Sequence, residues 1–138
     1  MTYKMPKWLF MTLSFTWGIV LSLIGGVVFL VLCPFQSFKK YDNCIYFEIG
    51  KDWGGIELGW LFIVNKNPTT YVKNHELGHG YQNCYLGPFF LILWVWGILR
   101  YWYRALIVKI NKNIVLKPYN SLWFEHWAED IGDSIYER

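Results

Sequence analysis

The stretch "NHELGHGYQNCYLGPFF" (residues 74–90) sets two histidines and a glutamate just ahead of an apolar run. On a helix, residues four apart share a face, with Cβ atoms about 5–6 Å apart. His75 and His79 can therefore hold one metal ion between their imidazoles. Glu76 is rotated about 100° from His75, beside the ion, where it can take a proton from metal-bound water. This is the H-E-x-x-H arrangement. The bland alternative is a polar helix end with two solvated histidines, and a third ligand decides between the two.

Glu125 is the candidate third ligand. It lies in "SLWFEHWAEDIGDSIYER" (residues 121–138). There Phe124, Trp127, Ala128, Ile131 and Ile135 form an apolar stripe at helical period. Glu125 lies on the flank of that stripe, in line with Ala128 and Gly132. On the first helix Val72, His75, Gly78, His79 and Gln82 share a face that Gly78 keeps thin. Two helices with small residues beside their polar groups are suited to meet at a metal.

"HELGH" followed some tens of residues later by "EHWAED" resembles the gluzincin metallopeptidases. The match falls on His75, Glu76, His79, Glu125, Ala128 and Glu129, and the resemblance covers roughly residues 52–132. It implies that His75, His79 and Glu125 bind zinc (Zn2+) and that Glu76 is the general base. It further implies that Glu129 orients a histidine ligand, His75 first. Family members place a strand before the H-E-x-x-H helix, and substrate backbone pairs with its edge. "IELGWLFIV" sits in that place, centred on Gly59, Trp60 and Leu61. Tyr81, Tyr119 and His126 are the candidates for stabilising the oxyanion. The run "WGGIELG…HELGHGYQNCYLGP" is also similar to small bacterial membrane proteins of H-E-x-G-H type, which implies a bacterial or phage-encoded membrane location. The chain departs from the larger family members in having little more than one helix around its second motif.

Composition points to a membrane as well. Apolar residues make up 54% of the chain and aromatic residues 21%, high for a soluble domain. No charged residue occurs between Lys7 and Lys39. That run exceeds the roughly 20 apolar residues that cross a bilayer, and it lacks the short core and small-residue cleavage site of a signal peptide. An uncleaved anchor over residues 8–33 is expected. The dispersed basic residues form no dense patch and exclude a nucleic-acid partner. Cys44 and Cys84 can pair in an oxidising compartment, although their spacing does not require it.

The remaining elements follow from period and punctuation. Ile45–Ile49 and Glu57–Val64 read as strands, joined by the turn residues of "GKDWGG" into a hairpin or small meander. A helix starting near Pro68 to Thr70 runs to about Gln82. Gly87-Pro88 breaks the chain before "FFLILWVWGIL" (residues 89–99), which would reach only about 16 Å as a helix. A helix that short re-enters or lies along the interface. Asn120 or Ser121 caps a last helix, Leu122 to about Tyr136.

The expected fold class is thus α+β: an anchor over residues 1–38 and a minimal gluzincin-like metal-site domain over residues 39–138. The expected function is a membrane-associated zinc endopeptidase acting on a peptide or protein. A structural or sensing zinc site is the alternative, and a closing fourth ligand such as Cys84 or His126 would favour it.

Overall fold

The computed structural model describes residues 3–136 and is a mixed α+β fold. Helices α1 (Lys7–Ser14) and α2 (Ile19–Leu32) lead into strands β1 (Lys39–Tyr41), β2 (Cys44–Glu48), β3 (Gly55–Glu57) and β4 (Leu61–Val64). Helices α3 (Thr70–Leu86), α4 (Pro88–Ile110) and α5 (Trp123–Ile135) follow, with a single 3-10 turn at Tyr119–Ser121.

The expected straight anchor is replaced by two helices at 99° to each other, broken at residues 15–18. The bend lets one uncharged run pack in two places. Phe10 of α1 lies against Tyr81 of α3, with ring centroids 5.3 Å apart, while Leu21 of α2 packs among Ile45, Leu58, Leu61 and Phe90. The break itself is pinned by polar contacts. Buried Ser14 Oγ lies 3.5 Å from Cys84 Sγ, and Asn83 Nδ2 donates to the Gly18 carbonyl at 3.3 Å. An uncharged stretch reads alike whether it runs straight or folds back.

The expected pairing of residues 45–49 with 57–64 as a hairpin is also corrected. The sheet order is β1-β2-β4-β3, with β2 and β4 parallel and Ile45 opposite Leu61. The stretch 57–64 divides at Gly59, whose φ of 85° turns the chain, so the hairpin forms between β3 and β4. Strand β4, with Leu61, Phe62 and Val64 wholly buried, takes the centre. Strand β3, with Gly55 and a carboxylate, is left at the edge.

Helix α3 starts where expected, with the Thr69 side chain accepting from the Val72 N–H at 3.2 Å, but it continues to Leu86. Helix α4 does not stop at Arg100. Its 23 residues make it long and apolar enough to cross a membrane, about 34 Å at 1.5 Å per residue. The 11-residue helix expected over residues 89–99 is therefore too short. Arg100 and Arg104 do not end it because both cations stack on Tyr119. Helix α5 starts at Trp123 without the expected side-chain cap.

Helix α5 lies across α3 in backbone contact. A Cβ on Gly78 would run into the Ala128 carbonyl oxygen, and one on Gly132 into that of Asn74. Gly78→Val is expected to force these helices apart and to cost about 1–3 kcal/mol or more. Thermal unfolding of the detergent-solubilised variant would measure this, and an unchanged Tm would contradict the packing.

Candidate metal centre

Helix α3 is polar yet buried: Asn74, His75, Glu76, His79, Gln82 and Asn83 are all under 10% exposed. The sheet covers one side of it and α5 the other. His75 and His79 project side by side toward α5, and Glu125, in the first turn of α5, projects back between them. Glu125 Oε2 stands 2.8 Å from His75 Nε2 and 3.0 Å from His79 Nε2, and the two Nε2 atoms are 3.1 Å apart. Four-coordinate zinc at about 2.0–2.1 Å from each ligand sets neighbouring ligand atoms about 3.3 Å apart. His75, His79 and Glu125 can thus hold a metal ion.

The hydrogen bonds around these residues fit that role. Gln82 Nε2 lies 2.7 Å from the Phe124 carbonyl, which can only accept, so the amide nitrogen faces it. Gln82 Oε1 then accepts from His79 Nδ1 at 2.7 Å. The proton of His79 is thereby held on Nδ1 and its Nε2 lone pair is turned into the site. Glu129 Oε1 lies 3.6 Å from His75 Nδ1, which makes no closer hydrogen bond. The two Glu129 oxygens accept from Tyr71 and, at 2.9 Å, from Asn120 Nδ2.

The charges around the cluster act strongly on one another. Burial alone would raise the Glu125 carboxyl, but the adjoining His75 and His79 imidazoles outweigh it and hold the group below the ordinary carboxylate range. Burial likewise opposes charge on His75, yet Glu125 and Glu129 draw its pKa well above the ordinary value. Glu76 behaves differently. Burial lifts its carboxyl above the ordinary range, and the neighbouring histidines only partly pull it back. Its Cγ lies 2.8 Å from where a Cβ on Gly55 would stand, so the glycine lets the edge strand close over the carboxylate.

The site lies in a cleft of about 560 Å³ between β3 and α4, walled by Trp53, Leu93, Trp94, Ile98, Tyr101 and Phe124. The expected substrate edge at Gly59, Trp60 and Leu61 is corrected. Leu61 lies in β4, which is paired on both sides, and Gly59 and Trp60 are in the turn before it. The free edge belongs to β3. Gly54 and Leu58 bond to the β4 side, so by alternation Gly55 and Glu57 turn their backbone groups outward. The Glu57 carbonyl accepts from Trp94 Nε1 at 2.7 Å.

Of the three oxyanion candidates only Tyr119 reaches the cleft, its ring 6.4 Å from that of His75. Tyr81 is fully buried and donates to Asp42 at 2.7 Å. His126 is exposed, 3.8 Å from Asp130. Neither Cys84 nor His126 belongs to the ligand cluster, and Cys33, Cys44 and Cys84 are free thiols. Sequence reasoning missed Tyr71 and Asn120. Tyr71 precedes His75 by four residues, so helical spacing could have found it; Asn120 carries no such signal.

Comparisons with protein-family models, curated proteins and solved structures find no match for the chain.

Metal analysis of the purified protein is expected to return one divalent ion per chain, lost in the His75→Ala, His79→Ala double variant. Retention by that variant would refute the assignment. Gln82→Leu, which frees the His79 tautomer, is expected to weaken metal affinity roughly 10–100-fold in a chelator competition.

Proposed function

We infer that the protein is a membrane-associated zinc endopeptidase of the gluzincin kind. The observation that carries this reading is the convergence of His75 Nε2, His79 Nε2 and Glu125 Oε2 beside the buried Glu76. Two imidazoles and one carboxylate suit zinc among the common divalent ions. Three protein ligands leave a position for water or substrate, and the cleft opens onto that position.

The roles follow from the contacts. An extended peptide laid along β3 would meet the outward N–H and C=O of Gly55 and the N–H of Glu57, adding a strand to the sheet. The apolar walls of the cleft favour apolar side chains in such a peptide. When bound, the zinc ion supplies the Lewis acidity that activates water and polarises the carbonyl. Glu76 takes the proton of the attacking water and returns it to the leaving amine. Its buried setting makes it a stronger base than an exposed glutamate. Tyr119 donates its hydroxyl to the developing oxyanion, and Glu129, held by Tyr71 and Asn120, steadies His75. Helix α4, with Phe89, Ile92, Leu99 and Trp102 each more than 60% exposed, holds this machinery at the bilayer.

Glu76→Gln preserves shape and removes basicity. This variant is expected to fold, to keep its zinc, and to lose roughly 10² to 10⁴ in the rate of peptide hydrolysis. The assay is cleavage of an unstructured peptide library in detergent. Equal cleavage by wild type and variant, or none by fully zinc-loaded wild type, would replace this reading with a structural or sensing metal site.

A further inference from the structure

Helix α4 carries two cations in its apolar length. Arg100 and Arg104 lie one turn apart and are half-buried, while Leu99, Tyr101, Trp102, Tyr103 and Leu106 around them are exposed. A fixed cation in such a helix is costly without a counter-charge, and it marks function by default. Among the described residues no carboxylate lies within ion-pair distance of either arginine. The Arg100 guanidinium carbon lies 4.7 Å, and that of Arg104 5.5 Å, from the Tyr119 ring centre. Stacking uses the face of a guanidinium and leaves its in-plane N–H groups for an acceptor. Arg100 Nη1 is buried with no such acceptor.

The arginines share this side of α4 with the cleft. Gly97, a cleft residue one turn earlier, has its Cβ position 3.6 Å from Glu125 Oε1. From Gly97 the helix rises about 4.5 Å to Arg100 and about 10.5 Å to Arg104. At about 3.3 Å per residue, an extended peptide beside the helix covers those distances in about one to three residues. We propose that Arg100 and Arg104, braced on Tyr119, form a subsite for a carboxylate carried by the substrate peptide one to three residues from the bond that is cleaved. The carboxylate is either the peptide's C-terminus or an aspartate or glutamate side chain. This rests on the peptidase reading, and it adds anion selectivity to a cleft whose other walls are apolar.

The test uses zinc-loaded Glu76→Gln protein in detergent and fluorescein-labelled apolar heptapeptides, read by anisotropy. One peptide has a free C-terminus, one is amidated, and one is amidated with a glutamate third from its end. A carboxylate is expected to tighten binding roughly tenfold, the scale of one charge-assisted hydrogen bond. The free-terminus and internal-glutamate peptides tell the two sources apart. The preference is expected to vanish in the added Arg100→Gln, Arg104→Gln pair, with zinc content unchanged, and to return in part with Arg100→Lys, Arg104→Lys. With wild-type Glu76, the Gln pair is expected to raise KM for carboxylate peptides and not for amidated ones. Hydrolysis without carboxylate preference would overturn the subsite and leave the peptidase reading intact. Arginine-dependent carboxylate binding without hydrolysis would support the subsite and remove the peptidase reading. Loss of phosphatidylglycerol-vesicle binding in the Gln pair, with peptide preference unchanged, would assign the arginines to lipid and overturn the proposal.

Discussion

The backbone contact between α3 and α5 is the constraint on which the rest depends. A carboxylate reaches only a short way from its helix. Glu125 meets both histidines because Gly78 and Gly132 let the two backbones touch, Gly78 at Ala128 and Gly132 at Asn74. Gln82 then ties the same helices a second time. One end of its amide holds His79, and the other holds the carbonyl of Phe124, the residue before Glu125. Ligand position and ligand tautomer are thus set by one side chain.

This closeness buries a helix that is polar nearly all round, which requires a partner for each group. Asn74 receives the hydroxyl of Tyr41 and donates to Asp133 at 3.1 Å. Asn83 donates to the backbone of Gly18. These bonds reach out to the sheet, to α5 and to the break between α1 and α2, so the bend in the apolar run belongs to the same network as the metal site. The Nδ1 of His75 lacks one, and so does Glu57 on the neighbouring strand. Its carboxyl is buried beside Gly80, and neither oxygen finds a donor at ordinary hydrogen-bond geometry. Burial, with the nearby charge of Glu76, pushes it well above the ordinary carboxylate range, which favours the neutral acid there.

The clustering of His75, His79 and Glu125 was legible because its signals are local. Four-residue spacing put His75 and His79 together, and the small residues beside Glu125 announced a close crossing. The sheet was harder to read. Nothing between Glu48 and Leu61 says that the later strand will insert between the earlier one and β3, because that order depends on which strand buries most once the chain has collapsed. The free edge of the sheet was misplaced for the same reason. The apolar run of α4 appeared to end at Arg100, since a pattern of hydrophobicity takes no account of an aromatic ring that accepts the cation. Tyr119 lies fifteen residues past Arg104 and comes back to it only through the fold.

Helix α4 serves two surroundings at once. Leu93, Trp94, Gly97, Ile98 and Tyr101 recur at helical spacing and face the cleft, while Ile92, Val95, Trp96 and Leu99 stay exposed. Trp94 also holds the outward carbonyl of Glu57, fixing the helix to the edge strand. The wall of the cleft and the apolar outer surface are therefore two faces of one rigid element. The groups that could hold a metal stand on two other helices, His75 and His79 on α3 and Glu125 on α5, so the cleft joins a wall from one element to a cluster from two others.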